Sequence, residues 1–364
     1  MQNFINHAKF FLGANSPKGF VSRFDQLYDP EDSWFCYILK GGPGTGKSTL
    51  MKKAAKAAEK LGIDLELIYC SSDPNSLDAV IFPTIKVCIV DGTAPHTLDP
   101  IYPGVSEKII NLGSAWDNNK LTDVSDDIIK LTNQNSSFHK RSKRYLEACG
   151  SIENDTFKIV SSSMDLPKIK AYTKRLSKKL FKKPLGESGK DKIRFISGIT
   201  PDGIVFFEDT VLNLSSNIFV IDDEYGPVGN EILSNIRIDA LDYGLDTISC
   251  YCPMNPANKI EAIFIPKLDT SFVTSNTWHP LPLLKDYKKI NTKRFLDSDK
   301  ISSRKQRLSF NRRIERELMN EAIINLNKAK ATHDLLEKPY INAMDYKKLN
   351  HITNSIISEI FKNK

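Results

Sequence analysis

The chain has 364 residues, of which 40% are hydrophobic and 26% are charged, with a formal net charge of +7. This length allows two ordinary domains, each with its own core, and the composition is that of a soluble globular protein. No apolar run approaches the ~18 to 20 residues that a helical membrane span needs. The first nine residues lack a charged start followed by an apolar stretch, so we expect no cleaved signal and a cytoplasmic protein.

The first elements in the chain are a strand, a glycine-rich turn and a helix. Residues 34–39 are a short apolar, β-favouring run that predicts a buried strand. Apolar residues then recur at helical spacing from Leu50 to Leu61, and Gly62 ends the predicted helix. Between strand and helix, Gly41 to Ser48 match the P-loop pattern G-x-x-x-x-G-K-[ST] in full. Motif and context together favour a phosphate site over an ordinary glycine-rich turn.

The P-loop predicts binding of a nucleoside triphosphate with Mg²⁺, and adenine is the default base, so ATP is the favoured ligand. Its glycines let backbone N–H groups turn toward phosphate oxygens, and the helix N-terminus adds positive potential. Lys47 is expected to reach the β- and γ-phosphates, and the Ser48 hydroxyl to ligate Mg²⁺. The predicted nucleotide-binding residues are Gly41, Gly42, Pro43, Gly44, Thr45, Gly46, Lys47, Ser48 and Thr49.

Two further strands are predicted, at residues 65–70 and 87–90, and each is followed by an aspartate. Because ligands bind at the carboxyl edge of parallel strands, Asp91 is the first candidate for the carboxylate that holds the metal. Asp73 is a second candidate at the same edge, and both are candidates for a catalytic role beside Lys47. The alternative for each is a turn residue or cap, which aspartate commonly provides after a strand.

A helical arm is predicted over residues 110–183, after an α/β body of residues 1–109. Leu121, Val124, Ile128 and Leu131 step by threes and fours, which predicts an amphipathic helix. We expect the arm to be a helical hairpin that packs on the body or projects from it. Residues 138–192 carry 15 Lys/Arg against 6 Asp/Glu, which makes this segment strongly basic.

The second half of the chain repeats the first at an offset of 180 to 184 residues. After a linker at 184–192, residues 193–364 form this copy, with a body at 193–284 and an arm at 285–364. The anchors include FLGANSPKGFV at 11 and FISGITPDGIV at 195, LGID at 61 and YGLD at 243, and YCSSDP at 69 and YCPMNP at 251. The predicted fold is therefore α/β: two P-loop NTPase-like parallel-sheet units in tandem, each followed by a helical arm.

The second copy is degenerate where the first carries its chemistry. Asp91 corresponds to Thr274 and Asp73 to Asn255, and the loop from Asp222 to Asn230 has no counterpart of Lys47 or Ser48. Residues that persist in both copies, including His96, are interpreted as structural. We therefore predict one nucleotide per chain, bound at the first loop.

The second arm is predicted to contain one long amphipathic helix, from Ile314 to Leu336. Its start is also basic, since residues 285–316 hold 12 Lys/Arg against 4 Asp/Glu. Both basic segments are candidate surfaces for an acidic or nucleic-acid partner. The alternative is a solvated helix face, which the lack of interleaved aromatic residues favours. Cys250 and Cys252 lie in an apolar run and predict buried thiols in a strand rather than a metal site.

These motifs together resemble a poorly characterised bacterial family of tandem-repeat P-loop ATPases, within the P-loop NTPase superfamily. The resemblance rests on GPGTGKST at 42, FLGANSPKGF at 11, CSSDP at 70 and VDGTAPH at 90, and it covers nearly the whole chain. It implies a nucleotide-hydrolase fold with two P-loop-like halves and no established substrate. Because the second loop lacks a working signature, two active sites are not implied for this chain.

The sequence alone is compatible with three functions. The first is a slow or partner-gated Mg-dependent ATPase, because Gly92 stands where many such enzymes place a water-activating glutamate after the metal-side aspartate. The second is a small-molecule or nucleotide kinase, in which Arg141, Arg144 and Arg175 of the first arm close over the transferred phosphate. The third is an ATP-regulated nucleic-acid-binding protein that uses the basic arms.

Overall fold

The architecture is seen in a computed structural model that describes residues 7–182, 184, 186–281 and 287–362. Parts of three predicted boundaries lie outside the described residues: Lys183 and Leu185 at the linker, and Lys285 at the start of the second arm. Residues 1–6, where no signal was expected, and residues 363–364 also lie outside. No helix within the described ranges has the length and apolarity needed to cross a membrane.

The first half alternates strands and helices and ends in two helices. Its strands are β1 (His7–Phe11), β2 (Gly13–Ser16), β3 (Gly19–Ser22), β4 (Phe35–Lys40), β5 (Leu65–Tyr69), β6 (Leu77–Phe82), β7 (Val87–Asp91) and β8 (Glu107–Asn111). Its helices are α1 (Lys47–Lys60), α2 (Asn118–Thr122), α3 (Ser125–Ser161) and α4 (Leu166–Leu180). The predicted strand at 34–39 and the helix after the P-loop are therefore present as β4 and α1. The predicted apolar stripe is buried from Leu50 to Ala58, but its last member, Leu61, follows the helix and is 47% exposed.

The second half has the same succession of strands, with one added helix. Its strands are β9 (Asp191–Arg194), β10 (Ser197–Thr200), β11 (Gly203–Phe206), β12 (Asn217–Asp222), β13 (Thr247–Cys252), β14 (Asn255–Ile265), β15 (Thr270–Ser275) and β16 (Lys288–Asn291). Its helices are α5 (Glu208–Leu214), α6 (Pro227–Asp242), α7 (Ser298–Ser303), α8 (Lys305–Ala343) and α9 (Tyr346–Phe361). Cys250 and Cys252 are buried free thiols in β13, as predicted.

Each half forms a six-stranded mixed sheet with a small antiparallel hairpin beside it. The strand order is β1-β5-β6-β7-β4-β8 in the first sheet and β9-β13-β14-β15-β12-β16 in the second, so the two topologies are the same. β6 and β14 run antiparallel to both neighbours, while the other pairs are parallel. The prediction of wholly parallel sheets was therefore wrong at one strand of each half. The cause is that β6, between the two predicted strands, was not recognised as an element.

Equivalent residues of the two halves meet at the centre of the molecule. Phe11 and Phe195, which correspond in the repeat, exchange both backbone hydrogen bonds at 2.8 and 3.0 Å. One cluster of buried side chains joins the two sheets around this point, including Phe10 and Phe264. Contact between matching residues is the signature of a two-fold relationship, here between two halves of one chain.

The helical arms exchange partners between the halves. The long helices α3 and α8 pack along each other, α4 packs on α6 of the second body, and α9 packs on α1 of the first. Ile169 of α4 belongs to the core of the second sheet, and Leu349, Ile356 and Ile360 of α9 belong to the core of the first. The expectation that each arm forms its own hairpin was wrong, because the apolar faces are buried against the opposite half.

Candidate functional site

The predicted P-loop, residues 41–48, occupies the turn between β4, which ends at Lys40, and α1, which begins at Lys47. Gly44 has φ +66° and Gly46 has φ +83°, and this left-handed backbone strongly favours glycine. Thr45 is buried, and its hydroxyl donates to the carbonyl oxygen of Gly42 at 2.8 Å. The backbone of the loop is therefore held in a defined turn that ends at a helix N-terminus.

The outer side of this loop is covered by the arm of the second half. A Cβ atom on Gly42 would lie 2.7 Å from the ring of Tyr340, and one on Gly44 would lie 3.0 Å from the backbone oxygen of Glu337. A Cβ atom on Gly46 would lie 3.0 Å from Leu349 of α9. The glycines thus also serve close packing, since a larger residue would collide with α8 or α9.

Lys47 points back into the loop that precedes it. Its Nζ donates to the carbonyl oxygens of Gly41 and Gly42 at 2.8 and 2.7 Å, and lies 3.6 Å from Oδ2 of Asp91. Its side chain is only 10% exposed, so this charge is held in one place rather than free in solvent. The structure therefore brings Asp91 to Lys47, as the shared sheet edge predicted.

Ser48 and Asp91 offer oxygen donors at the same end of the sheet. The Ser48 hydroxyl accepts from the backbone N–H of Leu77 at 3.0 Å. Asp91 Oδ1 accepts from the N–H of Thr93 at 2.9 Å and from its hydroxyl at 2.5 Å, so that carboxylate is fixed in orientation. A hydroxyl and a carboxylate are hard ligands that suit Mg²⁺, which retains several waters in such sites.

Asp73 lies in the turn after β5 and caps that turn. Its carboxylate accepts from the N–H of Asn75 at 3.3 Å and from the Ser76 hydroxyl at 2.8 Å. This geometry agrees with the alternative interpretation of Asp73 as a turn residue. Its Oδ2 also lies 3.7 Å from Nζ of Lys330, so α8 of the second half meets the first half here as well.

Asp78 is a buried carboxylate of this region that the sequence analysis missed. It lies on β6, next to the strand that carries Asp91, and it is 4% exposed. Burial raises its pKa to about 6, which nearby His96 opposes and Asp91 reinforces. The detectable signal was a charged residue inside the otherwise apolar run of residues 77–82.

His96 is buried beside this carboxylate. Its Nε2 lies 3.7 Å from Oδ1 of Asp78, and its ring stacks on Phe24 with centroids 4.5 Å apart. His279, the equivalent residue of the second half, is also buried and stacks on Phe206. The burial of both histidines agrees with their interpretation as structural residues.

The second loop is closed by its own carboxylate. Oδ2 of Asp223, which corresponds to Gly41, accepts from the backbone N–H of Gly229 at 2.5 Å, and Asp223 is only 1% exposed. The helix α6 begins at Pro227, two positions earlier than α1 begins in the first half. Positions that belong to the loop in the first half are thus helical in the second, and the buried carboxyl group of Asp223, whose pKa burial raises, lies at the helix N-terminus.

The basic segments are partly occupied by ion pairs within the chain. Arg307 contacts Asp155 across the α3–α8 interface, Arg312 contacts Glu224, and Lys289 lies 2.8 Å from Asp222. Arg175, one of the arginines expected to close over the first site, lies on α4, which packs on the second body. The arm that covers the P-loop belongs to the second half instead.

Comparison with protein families, with curated proteins and with solved structures gives no match.

Proposed function

We propose that the first half binds Mg-ATP at residues 41–49 and is a slow or partner-gated ATPase, of the tandem P-loop class that the motifs resemble. The observation that carries the proposal is a complete phosphate-binding signature between β4 and α1, with Nζ of Lys47 3.6 Å from Asp91. In P-loop sites the lysine contacts the β- and γ-phosphates and a carboxylate at the sheet edge helps to hold Mg²⁺, and Lys47 and Asp91 would take these two roles.

Binding is proposed to move Lys47 from its present partners to the nucleotide. The carbonyl oxygens of Gly41 and Gly42 give up their hydrogen bonds as the β- and γ-phosphate oxygens replace them. Backbone N–H groups at the start of α1 contribute further donors and positive potential. Ser48 and Asp91 would hold Mg²⁺, which neutralises phosphate charge when it is bound.

Slow turnover follows from the carboxylates near the loop. Asp73 is engaged in its own turn, and Asp78 is 4% exposed and faces His96. Neither is free to orient a water molecule in this arrangement, so movement of a neighbouring element is needed first. The close packing of α8 and α9 on the loop makes these helices the elements through which a partner acts.

The proposal is tested by Lys47→Ala, with Lys56→Ala as a matched control on an exposed position of the same helix. Mass spectrometry of nucleotide released from each purified protein identifies the ligand, and phosphate release measures turnover. We expect wild type and Lys56→Ala to carry adenine nucleotide, and Lys47→Ala to carry none. Equal nucleotide content in all three proteins would refute the site. If a phosphorylated small molecule appears instead of free phosphate, the protein is a kinase and not an ATPase.

A further inference from the structure

A cavity with charged and apolar walls lies beside the degenerate loop of the second half, where α3 of the first half also contributes to it. It consists of two adjoining pockets of about 470 and 500 Å³, including space open to solvent. Both pockets are lined by Glu153 of α3, Glu315 of α8, Lys259 of β14, and Asn276 and Trp278 after β15. The cavity therefore lies between the second sheet and the paired long helices, far along α8 from the P-loop contacts at Glu337 and Tyr340.

Charged side chains converge in this cavity from three directions. Nζ of Lys259 lies 2.8 Å from Glu153, and Glu261 accepts from the Ser197 hydroxyl at 2.6 Å. Glu315 accepts from the Thr156 hydroxyl at 3.0 Å, and within the described part of the chain no hydrogen bond joins it to a basic side chain. Burial raises the pKa of Glu315, and Lys259 and Arg312 are near enough to oppose this effect of burial.

The lining carries more negative than positive groups. Four glutamates stand against one lysine and one arginine, which leaves a formal surplus of two negative charges when all six groups are ionised: Glu153, Glu224, Glu261 and Glu315 against Lys259 and Arg312. His279 does not offset this surplus, because burial lowers its pKa. Nucleotide phosphates and other anions are therefore disfavoured here.

Stability alone does not account for these charges. A buried ion pair costs desolvation free energy that its own attraction often fails to recover, so hydrophobic residues of similar size would serve the fold as well. In the first half the positions that correspond to Lys259 and Glu315 hold Ser76 and Asn135, which are uncharged. Lys259 and Glu315 are thus charged only in the second copy of the repeat, whereas Glu261 corresponds to the buried Asp78 of the first copy. Clustered buried charges in a cleft are a mark of ligand sites.

Apolar and aromatic side chains make up another part of the lining. Ile199, Ile204, Met254 and Met319 form one wall, and the indole of Trp278 reaches both pockets. Apolar walls with a few convergent charged groups are typical of small-molecule sites, and an indole attracts cations over its face.

We propose that this cavity binds a small organic cation of the class of short aliphatic diamines. Two ammonium groups match the two surplus negative charges, and a short hydrocarbon chain between them packs on Trp278 and the methionines. The site is independent of the proposed nucleotide site, because no residue of the loop at 41–49 lines it.

The test is isothermal titration calorimetry with 1,4-diaminobutane at low ionic strength. Butane-1,4-diol is the uncharged analogue of the same length, and succinate is the dianion. We expect saturable binding of the diamine and none of the other two. Glu315→Gln should weaken the affinity at least tenfold, while Glu321→Gln, at an exposed position of the same helix, should leave it unchanged.

A second readout locates the ligand within the cavity. Diamine binding should change the fluorescence of Trp278, and Trp278→Phe should remove that change. If circular dichroism shows that Glu315→Gln does not fold, Glu224→Gln takes its place, and it should likewise weaken the affinity for the diamine. Absence of diamine binding, equal binding of the diol or succinate, or unchanged affinity in the glutamate variants would overturn the proposal.

Discussion

Oδ2 of Asp223 accepts a hydrogen bond from the backbone N–H of Gly229 at 2.5 Å, at the N-terminus of α6. In the first half the equivalent helix N-terminus faces a glycine loop that we propose to receive phosphate. The second half thus places an internal anion where a ligand anion would otherwise lie, in accord with the preference of helix N-termini for negative charge. This contact is the structural reason to expect one nucleotide per chain.

Asp223→Ala is expected to destabilise the second half, because it leaves the N–H of Gly229 without its acceptor in a buried place. Such a loss costs about 1–3 kcal/mol, and it is measured as the free energy of unfolding in urea. Asp223→Asn keeps an oxygen acceptor and should cost less. Asp222→Ala is the control, since Asp222 pairs with Lys289 at a half-exposed position and should cost no more than about 1 kcal/mol. Equal values for the two alanine variants would contradict the role of Asp223.

Tyr340→Ala is expected to weaken Mg-ATP binding at the first loop, although Tyr340 belongs to the second half. The ring of Tyr340 lies against Gly42, so its removal loosens the loop that orders the phosphate donors. We expect at least a tenfold rise in the dissociation constant, about 1.4 kcal/mol, by calorimetry. Tyr340→Phe keeps the ring and should bind like wild type. Unchanged affinity in Tyr340→Ala would show that the arm does not support the loop.

Local patterns were enough to predict the elements around the P-loop. An apolar run, a complete glycine motif and a helical stripe identified β4, the loop and α1, because each signal depends on residues close in sequence. The expected position of Asp91 at the carboxyl edge of the sheet also agrees with its contact with Lys47. The repeat itself predicted that the two halves share one topology, which the two strand orders show.

Long-range contacts could not be predicted in the same way. The spacing of apolar residues on α9 shows that one face is buried, but it does not say that this face packs on α1 of the other half. For the same reason Tyr340 and Glu337 gave no signal of their contact with Gly42 and Gly44. β6 was missed because Asp78 interrupts its apolar run. The position of Asp78 beside His96 depends on a long-range contact that the local sequence does not reveal.

Glu315 is expected to make stability depend on pH. Burial raises its pKa in the folded protein above the unfolded value of 4.5, so the folded state holds this proton more tightly. The stabilisation from the bound proton is full below the unfolded pKa and is lost as pH rises through the folded pKa. Urea unfolding of wild type and Glu315→Gln should therefore converge near pH 4, and wild type should lose more stability toward pH 8. A difference between the two that does not change with pH would contradict this.

The number of nucleotides that one chain binds is the most direct test of a single nucleotide site at the first loop. Equilibrium titration of the full-length protein with Mg-ATP, by calorimetry, gives this stoichiometry, and Lys47→Ala supplies the comparison. Wild type should bind one nucleotide per chain and Lys47→Ala none, because the second loop holds Asp223 where the first is proposed to hold phosphate. Two nucleotides per chain, or one nucleotide still bound by Lys47→Ala, would contradict it.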